Sequence, residues 1–291
     1  MSRKANKCSL IDASIDWFTV TVTDGLRLRF MEAKAERVMR ELEATGSPRT
    51  FTNRLGFVGD RAEGFFFGKR GDTLMVIGSG DVAAKQAGFF LGLATSVTRL
   101  DLAVTLQDLD IDRDWTAIAL RQASFDGRVD SGLLKTHRIE GTPDGRTLYV
   151  GSRSSDRYIR IYDKTAESKG EWPDRSWRWE VEYKRPRAGI VAARILRGQP
   201  TPSTVIDVVA SALADVRIIL PYGDPPSGWT SKKPKLLTTA ETRLRYTSRV
   251  VAPFIKNLVD AVGEDRVVQA LEAAELGKWH RHTPPRARDA P

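Results

Sequence analysis

A chain of 291 residues with 41% hydrophobic content buries a real core as one large domain or two small ones, which excludes disorder over its whole length. Lys and Arg outnumber Asp and Glu by 46 to 37, a net charge of +9, and that excess favours polyanionic partners such as nucleic acid or an anionic membrane. The single cysteine, Cys8, and three histidines, His137, His280 and His282, exclude an internal disulfide and argue against a Cys- or His-rich metal cluster and a Ser-His-Asp triad, so a reducing cytoplasm is expected.

The opening segment has no apolar core of signal-peptide length, and no window approaches a membrane-spanning apolar run. Residues 10–22, with IDWFTVTV, are β-branched and aromatic and predict a strand. Residues 31–44 have helical spacing closed by Gly46 and Pro48. Between 55 and 78 the runs GFVG, GFFFGKRG and TLMVIGSG, separated by glycines, predict an antiparallel meander. A helix is expected over 81–93, a strand over 97–104 (VTRLDLAV) and a helix over 112–123. TLYVGSRSSDRYIRIYDKTAE, residues 147–167, has two β-rich runs flanking a Ser/Arg/Asp turn, and WRWEVEYK follows at 177–184. Downstream of Pro186 four stretches carry helical spacing: AGIVAARILRG, TVIDVVASALADVRIIL, RVVAPFIKNLVDAVG and DRVVQALEAAELGKW. The Pro-, Gly- and Lys-rich loop 221–235 is the best internal boundary, and the basic, Pro-rich end (WHRHTPPRARDAP) reads as disordered.

Alternate residues of a strand face opposite sides, so parity says which side chains share an environment. In VTRLDLAV one face has Leu100, Leu102 and Val104, and the other has Arg99 and Asp101. In WRWEVEYK, Trp177, Trp179, Val181 and Tyr183 oppose Arg178, Glu180, Glu182 and Lys184. In RYIRIYDK, Ile159 and Ile161 alternate with Tyr158, Arg160, Tyr162 and Lys164. If the three strands lie in one sheet, its far face gathers three carboxylates with cations and tyrosines. One reading is a solvated outer face laced with cross-strand ion pairs. The other is that Asp101, Glu180 and Glu182 converge on a hard divalent cation, magnesium or manganese, suited to carboxylate oxygens. A phenol, with a reference pKa of about 10, needs a neighbouring cation, metal or base to act as a nucleophile. Arg160 and Lys164, two residues to either side of Tyr162, are candidates for that field.

With these segments in order, the chain resembles the replication initiation factor (Rep-trans) family of rolling-circle initiators from plasmids, conjugative elements and filamentous phages. IDWFTVTV, VIGSGDVAAK at 76–85, VTRLDLAV and the succession YVGSR…S…IRIYDK…E…WRWEVE carry the resemblance, over roughly residues 10–190. The resemblance implies a site-specific, metal-dependent DNA nickase and strand transferase that forms a 5′-phosphotyrosyl bond at an inverted-repeat origin. It implies partners too: origin DNA, a second copy of the chain and a host superfamily-1 helicase. Carried onto this sequence, it makes Tyr162 the first choice of nucleophile, Tyr149 the reserve and Tyr158 the third. Asp101, Glu180 and Glu182 become ligands of Mg2+ or Mn2+, and Arg153, Arg160 and Lys164 become phosphate-holding groups. Thr105 stands where the family often has a second acidic residue, and GSGDVAA keeps only part of the usual small-residue motif.

The fold class expected is α+β: a curved, largely antiparallel sheet with helices on its apolar face and a helical C-terminal region. A nicking domain is expected over 1–190, a helical, DNA-recognising or dimerising region over 191–278, and a basic tail over 279–291. Lys232, Lys233, Lys235, Arg243 and Arg245 are candidates for phosphate contacts. Two competing classes are a non-catalytic origin-binding regulator of the same fold and an RNA-binding sheet module. Three same-face carboxylates count against the second unless a cation lies between them and the phosphates.

Overall fold

The computed structural model describes residues 8–43, 49–108, 114–124, 137–141, 145–169, 171–198, 201–223, 227, 263 and 266. Two compact units divide the chain, Met1–Leu237 and Thr238–Pro291. The second contains only Gly263 and Arg266 among the described residues. The expected helices over 249–263 and 265–279, the basic tail, and Lys232, Lys233, Lys235, Arg243 and Arg245 lie outside the described residues, Gly263 and Arg266 apart.

In the first unit, strand β1 (Cys8–Val22) leads into helix α1 (Gly25–Glu43), whose N-terminal amides at Leu26 and Arg27 donate to the Asp24 carboxylate. A four-stranded meander follows: β2 (Arg49–Thr52), β3 (Val58–Ala62), β4 (Phe65–Arg70) and β5 (Thr73–Ser79). Then come α2 (Gly80–Leu93), the long strand β6 (Ser96–Asp108), α3 (Trp115–Ser124), β7 (His137–Glu140) and the hairpin β8 (Thr147–Val150) and β9 (Arg157–Asp163). A single turn, α4 (Lys164–Glu167), precedes β10 (Ser176–Lys184), α5 (Arg185–Gly198) and α6 (Pro202–Ala214).

All ten strands form one sheet in the order β2-β3-β4-β5-β1-β6-β10-β9-β8-β7, and each neighbouring pair is antiparallel. Its apolar face carries Phe18, Val20, Leu100, Leu102, Val104, Ile159, Ile161, Trp179, Val181 and Tyr183, all buried. The helices cover that face. Phe90 of α2 stacks on Phe18 and Trp115 of α3 meets Trp179 edge-on. Arg187 of α5 and Asp215, just after α6, lie near the Tyr183 hydroxyl. The α+β expectation, with helices on one side of an antiparallel sheet, is met.

Two local expectations are corrected. Lys164 does not continue the β9 strand: the Asp163 carboxylate accepts from the Ala166 amide at 3.0 Å, and this cap turns the chain into α4 with Lys164 as its first residue. The helix expected through Leu220 stops at Ala214, because Arg217 takes a left-handed backbone (φ 61°). Its amide donates to the Ala214 carbonyl at 2.9 Å and that of Ile218 to the Leu213 carbonyl at 3.0 Å, closing a Schellman motif. Helices α5 and α6 pack against β6 and β10 within the Met1–Leu237 unit.

Candidate functional site

The polar face opposite the helices brings together the residues that strand parity grouped. Strands β6, β10 and β9 are adjacent, with Asp101 directly across from Glu182, Glu182 across from Tyr158, Glu180 across from Arg160 and Arg178 across from Tyr162. Tyr149 on β8 is paired with Arg160 and so shares the face. Antiparallel pairing puts directly opposed side chains on the same side of a sheet, so one surface gathers three carboxylates, three tyrosines and several cations.

These carboxylates are not a solvated fringe. Asp101 and Glu180 are each 1% exposed and Glu182 is 8% exposed. Buried charges need partners, and each has one. Arg99 grips Asp101 with two hydrogen bonds, Nε to Oδ1 at 3.0 Å and Nη2 to Oδ2 at 2.6 Å. The same Nη2 lies 3.3 Å from Glu182 Oε2, while Lys184 Nζ reaches Glu182 Oε1 at 2.5 Å. Glu180 accepts from Arg160 through Oε1 and from the Tyr162 hydroxyl, at 3.3 Å, through Oε2. Arg178, 4% exposed, donates to Asp16 at 2.5 Å and to the Thr105 hydroxyl at 3.4 Å.

Burial dominates the proton affinities. It pushes Asp101 up to about 7 against the hydrogen bond and charge of Arg99, with Glu180 and Glu182 adding repulsion. Burial likewise raises Glu180, opposed chiefly by Arg160. The Tyr162 phenol is raised by burial and then by the Glu180 charge, and the cation that opposes the rise is Arg178. The sequence reading gave that role to Arg160 and Lys164. Arg160 is instead committed to Glu180, and Lys164, held to Glu167 at 2.6 Å, lies 6.0 Å from the centre of the Tyr162 ring.

Beside this cluster the rings of Tyr149 and Tyr158 stack at 5.7 Å, and the Arg153 guanidinium lies 5.8 Å from the Tyr158 ring centre. Arg153 sits in the β8–β9 turn, which is tied to the end of β10 by Lys184 Nζ donating to the Arg153 carbonyl at 2.6 Å. Arg178, Asp16 and Trp17 were missed as site residues. Arg178 was legible by its shared parity with Glu180. Asp16 was not, because β1 shifts register between Ile15 and Trp17, and such a bulge breaks the alternation from which parity is read. Trp17, across from Asp101, has the Arg99 guanidinium over its ring at 4.5 Å.

The donor chemistry of Asp101, Glu180 and Glu182, three buried carboxylates in mutual repulsion, fits a hard divalent cation. As arranged, no three acidic groups among the described residues converge as metal ligands, and their oxygens are held by Arg99, Lys184 and Arg160. These three cations are the more solvated partners, with side chains 31%, 26% and 30% exposed.

No helix among the described residues is long and apolar enough to cross a membrane. Part of the chain is 38% identical over 96 residues to a replication initiation protein of Staphylococcus aureus, a match covering 30% of this chain and 26% of that protein. The matched stretch therefore spans about a quarter of that relative's length. A solved structure, the rolling circle replication initiator protein from Geobacillus stearothermophilus, aligns with 81% of this chain and 96% of its own, at 21% identity and a TM-score of 0.47. Residues 95–217 match the model of the replication initiation factor family, and that stretch contains Arg99, Asp101, the three tyrosines, Arg178, Glu180 and Glu182. Over residues 95–217 the chain is thus similar to the replication initiation factor family.

Proposed function

We propose that this chain is a rolling-circle replication initiator that cuts and rejoins one DNA strand on the polar face of its sheet, with Tyr162 as nucleophile. The observation that carries the reading is the Tyr162 hydroxyl donating to Glu180 at 3.3 Å on the face where Asp101 and Glu182 meet. Tyr162 has a carboxylate, that of Glu180, in position to take its proton. As the phenolic oxygen attacks the scissile phosphorus, the proton passes to Glu180 Oε2. The bond from phosphorus to the 3′-oxygen breaks, a 5′-phosphotyrosyl bond forms, and the departing 3′-oxygen takes a proton from water to leave as a hydroxyl.

Arg178 counters the raised proton affinity of the phenol. Arg160 and Arg99, partly exposed, turn from carboxylates to the incoming phosphate and hold its developing charge. A divalent cation such as Mg2+ or Mn2+ would be held by Asp101, Glu180 and Glu182 and would polarise the scissile phosphate. Arg153 and the stacked Tyr149 and Tyr158 give the flanking nucleotides a cation and aromatic surface. The same reading makes the origin hairpin, a host superfamily-1 helicase and a second copy of the chain its partners.

The test is to incubate the chain with single-stranded origin DNA and Mn2+ and look for a covalent adduct resistant to denaturation. Wild type forms it, Tyr162→Phe does not, and peptide mapping places the nucleotide on residue 162. An adduct at wild-type level in Tyr162→Phe removes Tyr162 from the role and makes Tyr149→Phe the next variant. Origin binding with no cleavage by wild type would mark a non-catalytic regulator.

A further inference from the structure

The polar face does not end at the carboxylates. Cross-strand pairing carries one row of side chains along it from Lys184 through Arg99, Thr19, Ile77 and Phe66 to Arg61. This row leaves the residues matched by the family, 95–217, at β1 and ends on the β2–β4 arm. Four strand spacings of about 4.8 Å separate Arg61 from Arg99, roughly 19 Å.

The arm differs from the carboxylate cluster in its charge. No carboxylate occupies this face on β2 to β5, where the register places Phe51, Gly59, Arg61, Phe66, Gly68, Arg70, Met75 and Ile77. Arg54, Arg61 and Arg70 are exposed, and among the described residues none of them forms an ion pair. Arg61 lies over the Phe51 ring at 5.3 Å, and Phe66 meets the edge of that ring at 6.0 Å. Phe51 itself is 39% exposed, and its row neighbours Gly59 and Gly68 have no side chain to cover it.

The loop beside it is built rather than loose. Asn53 Oδ1 accepts from the amides of Leu55 and Phe57 at 2.9 and 3.1 Å. Arg70 stacks over Phe57 at 4.8 Å while donating to the Leu55 carbonyl at 2.7 Å. Phe57 closes a small core with Phe66, Met75 and Ile77. An aromatic ring, braced from behind and flanked by cations without carboxylate partners, matches what single-stranded nucleic acid requires: a π-surface for a base and positive charge for its backbone.

We infer that the β2–β4 arm, through Phe51 and Arg61 with Arg54 and Arg70 beside them, binds single-stranded DNA flanking the cleaved phosphate along the row that leads to Arg99. The inference rests on the DNA-cleaving reading for its choice of polyanion. It assigns the arm a sequence-tolerant grip, separate from the chemistry at Tyr162.

Fluorescence anisotropy of a labelled oligothymidylate with the full chain tests it. Phe51→Ala weakens binding about tenfold, within the range for losing one base–aromatic stack, and Phe51→Tyr restores it. Arg61→Ala lowers the slope of log affinity against log salt by about 0.7, one phosphate contact on a single strand. Because Phe51 is partly exposed, Phe51→Ala keeps the wild-type melting temperature. Affinities of Phe51→Ala and Arg61→Ala within about twofold of wild type overturn the inference, as does a Phe51→Ala defect confined to self-association, which would make the arm a protein contact. Normal adduct formation with unaltered oligonucleotide binding in Phe51→Ala sinks the arm and leaves the cleavage reading standing. Phe51-dependent binding by a chain that never forms an adduct does the reverse.

Discussion

Replacing Arg178 by methionine tests how the polar face is held together. Arg178 is 4% exposed and bonds Asp16 at 2.5 Å and Thr105 at 3.4 Å, so its loss leaves the half-buried Asp16 carboxylate without its cation. Breaking one side of a buried pair costs about 3–5 kcal/mol. The Asp16 side chain is 29% exposed and regains some water, which places the expected loss at the lower end, about 3 kcal/mol. Urea denaturation followed by circular dichroism reads that loss, and it corresponds to a melting point lower by about 6–12 °C. Adding Asp16→Asn removes the stranded charge and recovers at least about 1 kcal/mol of it. The single variant also forms the Tyr162 adduct more slowly at neutral pH, because the cation that opposes the raised phenol pKa is gone. A single-variant loss below about 0.5 kcal/mol, or a double variant as unstable as the two singles summed, refutes the pairing.

Two further outcomes follow from the same structure. Asp101, at about 7 in the fold against 3.8 for the free side chain, favours the folded state when protonated. Its stabilising contribution is full below about pH 4 and is lost as pH rises to about 7, up to about 4 kcal/mol. The stability difference between wild type and Asp101→Asn should therefore change across that window, and a difference that stays constant with pH rules out the raised value. Gly78→Ala would set a Cβ 2.3 Å from the buried Phe18 ring, which stacks on Phe90, so a loss of about 1–3 kcal/mol is expected in the same denaturation assay. Unchanged stability there would mean that α2 shifts freely over the sheet.

Period-two alternation needs only neighbouring residues, so the sequence alone determined which side chains of VTRLDLAV, WRWEVEYK and RYIRIYD share a face. Turn and cap chemistry likewise marked most of the strands and the opening of the helices. Where the reading slipped, at Lys164 and after Ala214, a side-chain cap or a left-handed residue closed an element that periodicity alone would have continued. What tertiary structure decided is which faces meet. Arg178 finds Asp16 across 162 positions of chain, and the bulge between Ile15 and Trp17 hides Asp16 from any parity count. The row from Arg99 to Arg61 exists only because β1 pairs with both β5 and β6. Strand order and register are set by burying one whole apolar face at once, a condition on the entire sheet that no local window contains.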